Sequence, residues 1–316
     1  MDEKKPRMGE QEKYANFENV VPAFLAPDHI VEQYYANDEV IEAETEIQDI
    51  EFFTKGSTTE AITPGDMVIR ERLYSAIEHN DIDVFIQPIV TLPQRRILFY
   101  ELYGRLRVQS GIYLAAQDYM PLAANEPMIS HLDALLLSHC IKILGKQRQE
   151  YDRDFAYFIN IKPATLRNRL FMSSLLSILS RNRSIASALV FEISYRDFLM
   201  LSPGEQKIIN GLVDIGCRFS LDHVTEIPED VKYLRTHNIH FIKIAAKTLL
   251  KGSKTENGFS DILSRKHNLD VNGIEIIIEK IETEETLLQI LDFDLKYGQG
   301  FLFGKPDFQG VYTGAS

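Results

Sequence analysis

Short apolar segments of strand-like composition alternate with amphipathic segments of helical period from about residue 66 onward. The first amphipathic segment covers residues 67–80, and two strand-like segments follow at 84–90 and 97–107. Only residues 91–96 join these two strands. This favours an antiparallel pair, because a parallel crossover takes about a dozen residues or more.

The rest of the chain repeats one unit, a helix followed by a strand. The predicted helices cover residues 131–146, 170–182, 205–216, 230–238, a segment from 246 onward, and 284–292. The predicted strands cover residues 155–161, 188–194, 218–222, 240–244, 274–280 and a closing segment at 296–306. With the opening pair, this pattern predicts an α/β fold: a modified (β/α)8 TIM-like barrel with an antiparallel first strand. We expect the barrel domain to span residues 66–310 and a C-terminal tail to span 311–316.

Residues 1–65 differ in composition from the barrel. They contain 15 acidic and 5 basic residues, so they carry most of the formal charge of −12. Two amphipathic stretches, at 19–35 and 38–53, interrupt this acidic segment. One interpretation is a solvated, largely disordered N-terminal arm. The other is a segment that docks on a protein partner through its apolar side chains.

Composition limits the classes of partner and compartment. The chain has 316 residues, of which 45% are hydrophobic, which is enough for one barrel of about 250 residues and an extension. The negative charge argues against a nucleic-acid partner, because phosphate binding relies on Lys and Arg. Cys140 and Cys217 lie in apolar patterns and are predicted to be buried free thiols. We find no signal-like N-terminus and no membrane-spanning run of about 18 apolar residues, and we expect a cytoplasmic protein.

Four predicted strands carry an acidic or amide side chain near their carboxyl end. These residues are Glu101, Asn160, Glu192 and Asp222. In a parallel barrel such side chains converge on one mouth. Carboxylate and amide oxygens form a hard donor set that suits Mg²⁺, Mn²⁺ or Ca²⁺ rather than zinc. A single acid of this kind is more often a loop cap, and it is the recurrence at equivalent positions that predicts a metal site.

Five further polar residues fall on the predicted strands. Arg105 lies four residues after Glu101, so both face the same side of the strand and Arg105 could bind a phosphate. A buried Glu–Arg pair is the structural alternative. Gln87 offers an amide near the same mouth, Lys243 interrupts an apolar strand, and Glu279 follows a β-branched run. Gln299 precedes Gly300, where a glycine would let the backbone approach a ligand closely.

These residues stand in segments that together resemble the EAL domain family, the cyclic di-GMP phosphodiesterases of bacteria, over about residues 66–308. FIQPIV resembles the family's opening strand, and ELYGR resembles its Glu-x-Leu-x-Arg signature. FINIKPATL, FEISY, LDHVT, KIA and IEKIE resemble the family's next five blocks in order, and QGFLFGKP resembles the closing Gln-Gly-aromatic block.

The resemblance implies a barrel with an antiparallel opening strand and two-metal hydrolysis of cyclic di-GMP to linear pGpG. It assigns the first metal to Glu101, Asn160, Glu192 and Asp222. It assigns water activation to Lys243, and Glu279 is a family catalytic position that completes the site. It assigns nucleotide binding to Gln87, Arg105 and Gln299.

The chain departs from the family pattern in one functional cluster. His223 replaces the second Asp of the metal pair, and Ala245 replaces the Asp beside the water-activating lysine. Tyr195 replaces the acid that ends the Glu-Ile-Thr-Glu block, and the following loop reads HVTEIPED without glycine. The signature itself reads ELY rather than Glu-Ala-Leu. The altered positions belong to the second metal and the catalytic loop, whereas the nucleotide-binding positions are retained.

Three hypotheses follow. The first is a catalytically impaired receptor that binds cyclic di-GMP and signals to an unidentified protein partner. The second is a slow phosphodiesterase that uses His223 as a substitute ligand, and the third is a protein-interaction scaffold without nucleotide. Within the family, the sequences of residues 83–107 and FSLDHV are similar to those of the TipF-type receptors, which are linked to flagellar assembly at the cell pole. The oligomeric state is left open between a monomer and an altered dimer.

Overall fold

The computed structural model describes residues 64–79, 82–109, 112–119, 126–150 and 155–308. The predicted acidic arm, apart from its last two residues, and the C-terminal tail both lie outside the described residues. The fold and the candidate site are therefore those of the barrel domain.

Eight strands form the closed barrel, and two short strands extend it. β1 pairs antiparallel with both β2 and β9, and the remaining barrel neighbours, from β2 through β4 to β9, are parallel. The predicted antiparallel opening strand is confirmed. The strands are β1 Asp83–Thr91, β2 Ile97–Gln109, β3 Ile112–Ala115, β4 Ala156–Asn160, β5 Leu189–Ser194, β6 Arg218–Asp222, β7 Ile239–Ala245, β8 Glu275–Glu279, β9 Tyr297–Gln299 and β10 Asp307–Phe308.

Helices connect the parallel strands, and local sequence signals set several of their ends. Ser202 caps the helix before β6 in a capping box with Glu205, and Gly216 ends the same helix with a φ of 115°. The helices are α1 Pro64–Glu78, α2 Ala116–Tyr119, α3 Glu126–Glu150, α4 Pro163–Arg167, α5 Arg169–Arg181, α6 Arg183–Ala186, α7 Tyr195–Phe198, α8 Pro203–Ile215, α9 Val231–Thr236, α10 Ala246–Ser253, α11 Gly258–Val271 and α12 Glu284–Leu291.

The barrel interior has an apolar lower layer and a polar upper layer. Phe99, Phe158 and Phe241 contact one another edge to face, with ring centroids 5.2–5.6 Å apart. Each of these strands carries a polar or charged residue two positions further on, which places that residue on the same face, nearer the carboxyl end. The aromatic layer therefore closes the barrel beneath the candidate site. We call the open end above it the barrel mouth.

Three features differ from the sequence-based prediction. β2 runs beyond the predicted residue 107 to Gln109 and pairs with β3, which was not predicted. β10 is also an addition, since its two residues give too short a pattern to recognise, and it pairs with β1. The closing segment at 296–306 is a strand only over Tyr297–Gln299.

Two other sequence-based expectations can be compared with the structure. Cys140 and Cys217 are buried free thiols, as predicted. Among the described residues, no helix combines the length and apolar character that crossing a membrane requires.

Candidate functional site

The predicted site residues come together on the inner face of the barrel near its mouth. Registered partners on neighbouring strands face the same side of the sheet, and the registers pair Gln87 with Glu101, Asn160 with Glu192, and Ala245 with Glu279. Alternation along the strands adds the other inward residues. The site is therefore built from all eight barrel strands, most of which are distant from one another in sequence.

Lys243 is the centre of the site. Its side chain is fully buried, and its ammonium Nζ lies 2.5 Å from Glu101 Oε2, 2.8 Å from Glu192 Oε1 and 3.6 Å from Glu279 Oε1. A charged lysine in a barrel core is tolerated only when carboxylates compensate its lost hydration. This explains how a lysine is accommodated among the buried apolar residues of β7.

The pKa values of these groups follow from burial and mutual charge. Burial by itself lowers the pKa of Lys243, but Glu101, Glu192 and Glu279 together raise it well above its usual value, so it is a cation. Burial raises the pKa of Glu192 strongly, and the charge of Glu101 adds to that rise. Burial also raises the pKa of Glu279 to about 7, with Lys243 opposing the rise.

The chemistry of Glu192 fits a cation site. Its carboxylate is fully buried, and neither oxygen accepts a well-aligned hydrogen bond, although Oε1 forms the ion pair with Lys243. A buried carboxylate without donors is suited to a metal ion, and its predicted co-ligands Glu101, Asn160 and Asp222 also offer oxygen. However, no three His, Cys, Asp or Glu side chains in the described part of the chain are gathered closely enough to hold an ion together.

A hydrogen-bonded network surrounds Glu101. Gln299 Nε2 donates to Glu101 Oε2 at 2.8 Å and to Gln87 Oε1 at 3.1 Å. The Tyr103 hydroxyl also donates to Gln87 Oε1, at 3.1 Å, and lies 3.2 Å from Gln299 Nε2. Gln87 Nε2 donates to the carbonyl oxygen of Gly304. The predicted residues Gln87 and Gln299 are thus joined directly to Glu101.

Sequence reasoning missed Tyr103 as a site residue. An aromatic residue in a strand is ordinarily core, and only its position two residues after Glu101 signalled that it faces the same side. Burial, followed by the negative charge of Glu101, raises the pKa of Tyr103 far above its usual value, so the hydroxyl stays protonated.

Arg105 lies further out on the same face of β2, between two aromatic rings. Its guanidinium carbon is 5.6 Å from the Tyr103 ring centroid and 5.9 Å from that of Phe85. Asp83, its registered partner on β1, instead binds Arg107 through two hydrogen bonds of 2.6 and 2.7 Å. Within the described residues Arg105 has no carboxylate partner. The alternative of a buried Glu–Arg pair with Glu101 is therefore not what the structure contains.

The ring and the backbone N–H of His223 both contact the Asp222 carboxylate. Its ring Nδ1 is 2.6 Å from Asp222 Oδ2, and its backbone N–H donates to Oδ1, also at 2.6 Å. The hydrogen bond to Asp222 raises the pKa of His223. His223 has a φ of 58°, in the left-handed region, where histidine is one of the more frequent non-glycine residues. Protonation of the ring opposes metal ligation, because a histidine ligates only through a neutral nitrogen.

Asn160 and the two other substituted positions, Tyr195 and Ala245, make few polar contacts in the site. Asn160 ends β4 beside Glu192 and makes no side-chain hydrogen bond in the portion of the chain that is described. Tyr195 begins α7 and packs against the main core. As a tyrosine it supplies no carboxylate at this position. Ala245 ends β7 opposite Glu279 and leaves that position without a polar group.

Gly300 was expected to let the backbone approach a ligand, and the structure shows a different reason for this glycine. Its backbone packs against the loop that follows β8 and not against an open ligand space. A Cβ built on Gly300, whose φ is 158°, would lie 2.0 Å from the carbonyl oxygen of Ile281. The glycine is required by close packing of the β9 end against this segment.

The loop after β6 is fixed to α11 by one arginine. Arg265 contacts the carboxylates of Glu226 and Glu229 at 2.9 and 2.7 Å, and donates to the carbonyl oxygen of Ile227 at 2.9 Å. Val224 and Ile227 of the same loop are buried. The segment that lacks glycine is therefore held in one position beside Asp222 and His223.

Relatives of this chain are cyclic di-GMP phosphodiesterases by name. The cyclic di-GMP phosphodiesterase PdeF of Escherichia coli K12 is 21% identical over 240 residues, which are 76% of this chain and 32% of that protein. The cyclic di-GMP phosphodiesterase PdeA of Borreliella burgdorferi is 28% identical over 151 residues, which are 48% of this chain and 22% of that protein. The chain thus spans a third or less of these two relatives.

A solved structure and a family model are consistent with these sequence relatives. The crystal structure of the Xanthomonas citri FimX EAL domain in complex with cyclic di-GMP matches with a TM-score of 0.67 at 14% identity, covering 78% of this chain and 96% of that one. The family model of the EAL domain matches residues 70–306, which is well over half of the chain. The chain belongs to the EAL domain family.

Proposed function

We propose that this EAL domain binds cyclic di-GMP as a receptor and is impaired in hydrolysing it. The observation that carries the proposal is the contact of His223 with the Asp222 carboxylate, while Arg105 at the barrel mouth meets no counter-ion among the described residues. The first feature removes a catalytic metal ligand. The second leaves a cation available for a phosphate.

Nucleotide binding relies on the outer part of the site. A guanidinium that is flanked by aromatic rings and free of carboxylates can bind a phosphate through two parallel hydrogen bonds. Gln87 and Gln299 lie deeper and can meet the sugar-phosphate ring from below. Among the names of relatives and solved neighbours, cyclic di-GMP recurs as the ligand, which supports the same nucleotide here.

Hydrolysis depends on the inner part, where Lys243 neutralises two carboxylates and His223 contacts a third. Lys243 contacts Glu101 and Glu192, and His223 contacts Asp222. Ala245 supplies no carboxylate for a second ion. Losing a catalytic ligand costs several kcal/mol of transition-state stabilisation, enough to slow a reaction by about 10³ or more. Ground-state binding of the nucleotide does not carry the same penalty.

A single divalent ion remains compatible with the donor set. Glu101, Asn160, Glu192 and Asp222 would hold Mg²⁺ or Mn²⁺, with Ca²⁺ as the third candidate, once these side chains close in from the wider arrangement that the described residues show. When bound, such an ion polarises a phosphate oxygen. Lys243 holds the two buried glutamates, Glu279 with its pKa near 7 can accept a proton at the mouth, and Arg105 orients the phosphate.

A slow metal-dependent phosphodiesterase that gives pGpG is the second candidate. The observation in its favour is the contact between Lys243 and Glu279, which keeps both family catalytic positions together at 3.6 Å. A scaffold that has lost nucleotide binding is the third outcome of the tests below.

The receptor proposal also includes a protein partner that senses the nucleotide-bound state. The sequence similarity of β1, β2 and FSLDHV to the TipF-type receptors favours motility or cell polarity as the process in which the receptor and its partner act. The acidic segment 1–65 is the part of the chain that we assign to that contact.

A binding titration tests the proposal directly. Purified protein is titrated with cyclic di-GMP, linear pGpG and GMP, once with a chelator and once with Mn²⁺. We expect saturable binding of cyclic di-GMP at micromolar concentration and at least about tenfold weaker binding of GMP, which offers one phosphate and one base. Equal affinity for the three nucleotides, or no binding, would contradict the proposal.

A further inference from the structure

We propose that Tyr103 is a positioning residue for the nucleotide phosphate, because its ring supports the Arg105 guanidinium while its hydroxyl is anchored by Gln87 and Gln299. This inference rests on the proposed function and assigns a positioning role to the residue that stands where the family signature has leucine.

The hydroxyl end of Tyr103 is fixed. It donates to Gln87 Oε1 at 3.1 Å and lies 3.2 Å from Gln299 Nε2, which also binds Glu101. Gln87 is itself held by the carbonyl oxygen of Gly304. A phenol is protonated at neutral pH, so its hydroxyl is present as a donor. The ring therefore has one defined orientation across the barrel mouth.

The ring face of Tyr103 meets Arg105. The guanidinium carbon lies 5.6 Å from the Tyr103 centroid, within the range of a cation–π contact. Phe85, which is Tyr103's registered partner on β1, lies 5.9 Å from the same guanidinium. Tyr113 contacts Phe85 edge to face at 5.0 Å and so supports that second ring.

The neighbouring charges leave Arg105 available. Asp83 is its registered partner but binds Arg107 through both oxygens. An arginine that packs on rings and not on a carboxylate keeps its donors for an incoming anion. Because the rings restrict its side-chain freedom beforehand, less entropy is lost when the phosphate binds.

Leucine at position 103 could not do this. It has no hydroxyl for Gln87 and Gln299, and it has no π-system for the guanidinium. Phenylalanine would keep the ring and lose only the anchor. Gln87 Oε1 would still accept from Gln299 Nε2 at 3.1 Å, so Gln87 would keep a donor. The two substitutions therefore separate the ring from the hydroxyl.

The test is a double-mutant cycle on cyclic di-GMP affinity in the full chain. The variants are Tyr103→Leu, Tyr103→Phe, Arg105→Gln and Tyr103→Leu/Arg105→Gln, with circular dichroism confirming that each is folded. We expect Tyr103→Leu to weaken binding about tenfold and Tyr103→Phe about threefold or less. In the Arg105→Gln background, Tyr103→Leu should cost less than about twofold, because the guanidinium that it supports is absent.

Equal losses from Tyr103→Leu in both backgrounds would overturn the inference, since Tyr103 would then act independently of Arg105. A wild-type chain that binds no cyclic di-GMP would overturn the proposed function instead. In that case the same cycle is scored on melting temperature. A non-additive shift would retain the Tyr103–Arg105 pairing, and strictly additive shifts would overturn it.

Discussion

The ammonium group of Lys243 lies 2.5 Å from Glu101 Oε2, inside a barrel where neither side chain is more than 5% exposed. The pair joins β7 to β2 across the interior, over 142 positions of sequence. A lysine so placed provides charge compensation for Glu101 and Glu192 that a metal ion would otherwise provide. An ion that bound these carboxylates would have to share them with Lys243, so we expect stability and metal binding to be linked at this residue.

Lys243→Met should strongly destabilise the domain. It leaves two buried glutamates without a counter-ion, a change that typically costs about 3–5 kcal/mol. The loss in free energy of unfolding should be smaller at pH 5 than at pH 8, because the Glu192 carboxyl, whose pKa burial already raises, takes up a proton there. Urea denaturation at the two pH values measures this.

Lys247→Met provides the control, since Lys247 is exposed on α10, the helix that follows β7. It should change stability by less than about 0.5 kcal/mol. Added Mn²⁺ should restore part of the stability of Lys243→Met and leave Lys247→Met unaffected. A Lys243→Met chain as stable as wild type would show that the carboxylates do not need this cation.

Arg105→Ala should weaken cyclic di-GMP binding by about 100-fold, because the charged partner of a phosphate is lost. Arg95→Ala is the matched control. Arg95 lies on the turn between β1 and β2 at the opposite end of the barrel and pairs with Glu284 on the surface. Titration calorimetry of both variants measures the effect. Equal losses in the two variants would place the nucleotide elsewhere.

His223→Asp/Ala245→Asp should gain metal-dependent formation of pGpG, whereas His223→Asp alone should remain inactive. The single substitution returns one carboxylate to the pair with Asp222, but Ala245 still leaves the adjacent position without a ligand. An aspartate is tolerated at the φ of 58° found at position 223. Product chromatography after incubation with Mn²⁺ measures both. Activity in His223→Asp alone would show that Ala245 is not limiting.

Asp133→Asn should make the free energy of unfolding less dependent on pH. Asp133 Oδ2 accepts from the Lys162 backbone N–H at 2.9 Å and from Thr165 Oγ1 at 2.6 Å, at the start of the helix that follows Asn160. Burial raises the pKa of Asp133 to about 6. Because the folded pKa is raised, its contribution to stability is complete below about pH 4 and is lost as the pH rises through 6.

The stability of wild type relative to Asp133→Asn should therefore fall by about 2–3 kcal/mol between pH 4 and pH 7. Asp214→Asn, on the exposed end of α8, is the control and should show no such change. Thermal unfolding across this pH range measures the difference. A constant difference between wild type and Asp133→Asn would contradict the effect.

Sequence reasoning predicted the parts of the fold and site that repeat. The two-residue period of strands placed Glu101 and Arg105 on one face, and the helix–strand alternation predicted the eight barrel strands. The short turn at 91–96 predicted the antiparallel opening pair, which the pairing of Gln87 with Glu101 confirms. Each of these inferences needs only local spacing.

The parts that depend on distant partners were not predictable in the same way. The ion pair of Lys243 with Glu101 and the fixing of the 223–230 loop by Arg265 join residues that no spacing rule connects. Tyr103 resembled an ordinary core aromatic until its hydroxyl was found between Gln87 and Gln299. The contact of His223 with Asp222 accompanies a left-handed backbone conformation at position 223 that strand periodicity does not predict.

The most direct test of the central claim is equilibrium dialysis of cyclic di-GMP against the purified chain with Mg²⁺ or Mn²⁺, followed by chromatography of both chambers. A receptor that does not hydrolyse its ligand should retain intact cyclic di-GMP in the protein chamber at low micromolar protein. Accumulation of pGpG would contradict the account, because His223 would then support turnover.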